Sequence, residues 1–203
     1  MQTLTRRAAL FGALSTLSGC AAISSINSAA APLDTYDLRP AAGSTSGGRR
    51  SRTLLVAKPQ ASAALATDRI MIKPDAVSVT YLPDARWVDE VPAVVQSLLI
   101  RSISETGRIA YVGRSDAGPI PDKALLVRID AFEVNALENG AFSVTVDLDL
   151  TLINDSNQRV VASRRFSQTD QVASDEVTEI VAAFQNVLND LLPAMSDWAI
   201  ART

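Results

Sequence analysis

The stretch "AFSVTVDLDLTLI", residues 141–153, alternates from Phe142 to Leu152. Phe142, Val144, Val146, Leu148, Leu150 and Leu152 are apolar, while Ser143, Thr145, Asp147, Asp149 and Thr151 are polar. A period of two is that of a β-strand with one dry face and one wet face. Working outward, "ALLVRIDAFEV" (124–134) precedes it across a turn carrying Asn139-Gly140. "RVVASRRFSQT" (159–169) follows it past Asn154-Asp155-Ser156-Asn157. Turns of this composition between such runs predict a three-stranded antiparallel meander.

Beyond the meander the period changes. Val177, Ile180, Val181, Phe184, Val187, Leu188, Leu191, Leu192 and Met195 recur at helical spacing, which predicts a long helix over 174–200 with a kink at Pro193. Upstream, Val91, Val94, Val95, Leu98, Leu99 and Ile103 predict a second amphipathic helix over 88–106, with Pro92 in its first turn and Gly107 at its end. Five short strands are expected before and around it: "DTYDL" (34–38), "TLLVAKP" (53–59), "DRIMIKP" (68–74), "AVSVTYL" (76–82, closed by Pro83) and "RIAYVG" (108–113). "RPAAGSTSGGRRSR" (39–52) reads as a loop with no apolar residue to hold it in a core. The fold class that follows is α/β: a single domain over 34–203, with a mixed, largely antiparallel sheet packed against two principal helices.

The first 33 residues have a different character. "TRR" followed by "AALFGALSTLSG" has the charged and short apolar regions of a signal peptide, expected to occupy 1–19. The apolar run is far below the ~20 residues needed to span a bilayer. Arg6-Arg7 resembles a twin-arginine export signal, and an ordinary secretory signal is equally compatible. Leu17-Ser18-Gly19-Cys20 resembles the lipobox of bacterial lipoproteins, and Cys20 is the only cysteine in 203 residues. Its thiol is the nucleophile that would take a diacylglycerol. Residues 20–33, rich in Ala and Ser, are then expected to be a lipidated flexible tether. Several acyl chains on one residue anchor a protein to a membrane without spanning it. Ala21 is not the aspartate that retains many enterobacterial lipoproteins at the inner membrane, so the outer membrane is favoured.

Composition bounds the chemistry. The formal charge is -3, and -5 once Arg6 and Arg7 leave with a leader, which argues against nucleic acid as a partner. There is no histidine, so a Ser-His-Asp triad is impossible and the commonest zinc ligand is missing. One cysteine makes neither an internal disulfide nor a CxxC site. Neither G-x-G-x-x-G nor a phosphate-binding loop is present. No cofactor and no metal site is expected. Asp147 and Asp149 share a strand face about 7 Å apart and could be drawn as an acid/base pair. The plainer reading sets Arg164 or Arg165 opposite them as cross-strand ion pairs. Arg49, Arg50 and Arg52 read as a solvated loop rather than a lipid-headgroup site. Tyr81 and Trp87 bracket the turn before the first helix, where Trp87 would cap the core or mark a partner surface.

The segment "LATDRIMIKPDAVSVTYLPDARWVDEVPAVVQSLL" (65–99) resembles the ABC-type transport auxiliary lipoproteins, the PqiC/YmbA-like family. The resemblance takes in the lipobox, Tyr36 and Leu38 as an early Y-x-L, a buried strand ending near Pro59, Asp68-Arg69-Ile70, Tyr81, and Trp87 opening a helix. It covers most of 17–112; the Gly/Ser/Arg loop at 39–52 departs from it. It implies a periplasmic α/β domain that is not an enzyme. The implied partners are an MCE-family substrate-binding protein with its ABC permease and ATPase, in a system that moves lipid between membranes. A homo-oligomer stays open. Two other functions compete: a lipid-anchored cell-envelope enzyme using Asp147 and Asp149, and a structural envelope lipoprotein.

Overall fold

The computed structural model describes residues 33–114, 118–138, 140–172 and 174–203. The expected signal peptide, Leu17, Ser18, Gly19, Cys20, most of the tether and Asn139 of the first meander turn lie outside the described residues.

Among the described residues, eleven elements follow one another: β1 (Asp34–Tyr36), β2 (Arg50–Val56), β3 (Gln60–Ala61), β4 (Arg69–Lys73), β5 (Thr80–Trp87), α1 (Val91–Glu105), β6 (Ile109–Arg114), β7 (Lys123–Ala136), β8 (Phe142–Asn154), β9 (Val160–Val172) and α2 (Val177–Arg202). The nine strands form one mixed sheet, and the two helices pack on each other. This is the α/β class expected from the sequence.

The meander forms the continuous part. β7 and β8 are antiparallel from Lys123↔Asn154 to Ala136↔Phe142, with Asp130 the extra residue of a bulge between Ile129 and Ala131. β8 and β9 are antiparallel from Phe142↔Val172 to Ile153↔Val160. The core-facing row Val144, Val146, Leu148, Leu150 and Leu152 is fully buried beneath α2. The other edge of β7 is shared by three separate segments in turn. β2 pairs with its start (Leu54↔Lys123), β3 with its middle (Gln60↔Arg128), and β4 with its end (Met71↔Glu133), all parallel. From there β6 adds to β2, while β5 and then β1 add to β4. β7 is the spine on which two small wings meet.

Both helices bury the stripes read from the sequence, and Gly107, at φ +66°, stands just beyond the end of α1. Proline at 193 removes one N–H from the interior of α2. Trp87 at the end of β5, Phe132 on β7 and Phe184 on α2 meet at ring distances of 4.8–5.8 Å and join wing, spine and helix.

Several expectations are corrected. β5 does not stop at Pro83 but runs on to Trp87. Asp84 takes φ +56°, and the pairing with β4 shifts register there. An irregular point in a strand is where a residue without an N–H is tolerated. Residues 76–79 are a turn rather than strand, because the Asp75 carboxylate accepts the N–H groups of Val77 and Ser78 at 2.8 Å. Arg50 and Arg52 belong to β2, not to the loop before it, since Arg50 is opposite Ile109. The rest of that loop is strapped across the helices by polar contacts. Arg39 and Gln185 exchange hydrogen bonds, Ala41 N–H donates to Ser102 Oγ, and Ser44 N–H donates to Asp197. A side chain at Gly43 would stand 2.8 Å from the Asp197 carboxylate and 3.0 Å from the Pro193 carbonyl, so it would push the strap or Asp197 aside.

Candidate functional site

The polar face of the meander lies opposite the helices and carries the two aspartates singled out above. Asp147 is not on an open wet face: it is 6% exposed. Its neighbour across β9 covers it. The guanidinium of Arg165 clasps Asp147 with two hydrogen bonds, Nε to Oδ1 at 2.7 Å and Nη2 to Oδ2. Arg165 stands opposite Asp149 in the ladder and reaches diagonally, whereas Arg164 lies on the helix-bearing face, stacked over the Phe166 ring at 4.7 Å. Asp149 takes its cation from the other side, with Arg128 Nη2 at 3.6 Å. Arg128 is itself clasped by Asp130, the bulge residue, at 2.7 and 2.9 Å.

These contacts explain the electrostatics. The hydrogen bonds from Arg128 hold the Asp130 carboxyl below the usual carboxylate range, and the same pairing raises Arg128. Arg165 is raised by its hydrogen bonds to Asp147. Further along the face Lys73 pairs with the buried Glu133 at 2.9 Å, and Thr145 with Thr169 and Thr151 with Ser163 form hydroxyl pairs at 3.0 and 2.9 Å. A carboxylate already clasped by a guanidinium has its lone pairs engaged. The face is a lattice of cross-strand pairs, as the plainer reading held, with Arg165 as the partner that the turn left open.

Trp87 is 1% exposed and buried among aromatic rings, which takes it off any partner surface. Tyr81 is half-buried, and its hydroxyl donates to the Ala64 carbonyl. All three arginines of the basic cluster are exposed, as expected, with Arg52 paired with Asp122 at 2.9 Å and Arg49 donating to the Ala110 carbonyl. Asp122 also accepts the Thr53 N–H; that bond, then the one from Arg52, lowers its carboxyl.

A concavity of about 440 Å³ runs along α1 and was not visible in the sequence. Val94 and Leu98 give it an apolar lining, with Asp37 and Asp89 supplying negative charge and Arg101 and Arg114 positive charge. Its residues come from four separate stretches of chain, so no spacing pattern announces it. Among the described residues no group of His, Cys, Asp or Glu is arranged to hold a metal ion, and no helix is long and apolar enough to cross a membrane.

The same architecture occurs in solved structures. A protein of Xanthomonas campestris assigned to the DUF330 family superposes with a TM-score of 0.76 at 25% identity, covering 83% of this chain and 96% of that one. An uncharacterized protein of 14% identity shares the fold at a TM-score of 0.63, covering 82% of this chain and 98% of that one. A protein of Bradyrhizobium diazoefficiens is 30% identical over 169 residues, which is 82% of this chain but 44% of that protein; this chain therefore spans less than half of its relative. The mixed sheet and its two helices place the chain in this α/β fold class. The model of the ABC-type transport auxiliary lipoprotein component matches residues 36–196, and the chain belongs to that family.

Proposed function

We propose that this chain is the lipid-anchored, periplasmic auxiliary component of an ABC transport system built around an MCE-family substrate-binding protein, and that it works by binding and positioning. The observation that carries this reading is the family match over 36–196, nearly the whole described domain. Two features support it. Of the carboxylates that an enzyme reading would use, Asp147 is clasped by Arg165 and Asp149 lies 3.6 Å from Arg128. The sequence "LSGC" supplies Cys20 as the lipidated residue, with residues 1–19 removed and 21–33 as tether. The anchor, in the outer membrane by the identity of Ala21, sets where the domain meets its partner. Transport energy would come from the partner ATPase.

The test is direct. The mature chain should bind the periplasmic part of its cognate MCE protein, and its deletion should reproduce the envelope phenotype of deleting the transporter. Intact mass should show loss of residues 1–19 and added acyl mass on Cys20. Cys20→Ala should mislocalise and complement poorly. The double variant Asp147→Ala/Asp149→Ala should complement fully. A folded, correctly localised double variant that fails to complement would favour the envelope-enzyme reading instead.

A further inference from the structure

β9 is thirteen residues long and, among the described residues, pairs only with β8. The sheet's other edges are short: three residues in β1 and six in β6. A long free edge is a row of unpaired N–H and C=O groups, a template for another strand. Proteins that keep such an edge single blunt it with proline, bulges or charged side chains that meet like charges on an incoming strand. Residues 160–172 contain no Pro or Gly, their charged residues are Arg164, Arg165 and Asp170, of both signs, and their irregularity lies at the start, between the partners of Leu152 and Ile153. From Ala162 to Val172 the ladder is regular.

We propose that this edge pairs, antiparallel, with β9 of a second copy of the chain about a two-fold axis at Ser167. The charge pattern selects both the occupant and the register. In a two-fold pair of like strands, the residue on the axis faces its own copy, and residues equally far on either side face each other. With Ser167 on the axis, Arg164 faces the second copy's Asp170, and this happens twice. Both side chains lie on the helix-bearing face, since they stand opposite Leu150 and Val144 of the core row. Arg165 then faces Thr169, and Ser163 faces Gln171, so no like charges meet. An axis at Arg164 or Arg165 would set guanidinium against guanidinium. An axis at Phe166 or Gln168 would pair no opposite charges. Opposite charges directly across a strand pair stabilise it and like charges destabilise it. Arg164 and Ser167 are exposed and Asp170 half-buried, so all three can be reached from the edge. This pairing stands independently of the transport reading.

The experiment uses the mature chain extracted in detergent. Its mass by light scattering should correspond to an assembly that contains the β9 pair. Arg164→Asp alone and Asp170→Arg alone each set like charges opposite one another twice, and each should shift the dissociation constant upward by ten-fold or more. The double swap Arg164→Asp/Asp170→Arg should restore it, which a mere folding defect would not allow. Facing strands hold opposed Cα atoms within disulfide reach. Ser167→Cys should therefore cross-link to its own copy under mild oxidation, and wild type should not. Ser163→Cys should cross-link only when mixed with Gln171→Cys. A monomeric wild type at tens of micromolar, single swaps without effect, or Ser163→Cys cross-linking to itself would each overturn the proposal.

Discussion

The two edges of β7 are built differently. On one, β8 follows it for thirteen opposed pairs, broken only by the bulge at Asp130. On the other, β2, β3 and β4 take the same length in three pieces, with a register shift within β2's pairing to β6 and another between β4 and β5. The continuous edge is made by chain neighbours joined through short turns, so its register is fixed locally. The broken edge is assembled from segments that leave the sheet and return. In the same half of the chain, the strap across the helices lies between β1 and β2, and the concavity runs along α1, between β5 and β6. Regular pairing supplies the platform, and the interrupted half carries the surface features.

The sharpest way to break this contrast is at the centre of the continuous half. Leu148→Asp places a carboxylate without a partner in a site that is 1% exposed, and the domain should lose its cooperative thermal transition. If Leu148→Asp melted like wild type, the assignment of the strand faces would be wrong. Next comes the joint between the halves. Phe184→Ala removes the ring that touches both Trp87 and Phe132, and should cost about 3–5 kcal/mol in a denaturant titration. Hydrogen exchange should rise more in β5 than in β8 if the wings depend on that joint.

A smaller effect is expected from acid. Asp122 ties the start of β2 to the loop before β7, and its carboxyl is lowered in the folded chain by the Thr53 N–H and by Arg52. A depressed folded-state pKa contributes stability above the ordinary carboxylate value of about 4 and loses it as pH falls through the lower folded value. Asp122→Asn should therefore lower the melting temperature slightly at neutral pH, with the difference from wild type closing below pH ~4. A gap that stayed constant down to pH ~2 would mean the bonds to Asp122 are not what the acid removes. The smallest effect is Asp149→Ala. Its partner Arg128 is 3.6 Å away, largely exposed and already clasped by Asp130, so the change should stay within about 1 kcal/mol of wild type.

The same contrast governs what could be read in advance. The meander was legible because period-two alternation and turn residues are local signals, and the helices because their stripes are long. The wings were not. Pro83 reads as a terminator until the register shift at Asp84 is known, and 76–79 alternates like a strand although Asp75 turns it back on itself. Arg50 joins β2 through its parallel partner Ile109, a pairing that no property of Arg50 reveals. Within the candidate site, ion pairing of the aspartates was foreseeable from sign and face alone. The choice of Arg165 over Arg164 depended on register, and the Arg128–Asp130 clasp depended on a bulge. The burial of Asp147 comes from side chains on the adjacent strand, so β8 alone could not show it.

The arrangement of β7 also imposes a timetable. A chain that emerges N-terminus first presents β2, β3 and β4, residues 50–73, long before their common partner at 123–136 exists. The antiparallel meander closes through local turns as soon as residue 172 is out, while the parallel pairings must wait and then close long loops, which is slow. During that interval Leu54, Leu55 and Val56, all buried in the finished fold, are adhesive and unprotected. A holding chaperone should therefore make its contacts in the first half of the domain and release them when the third quarter arrives.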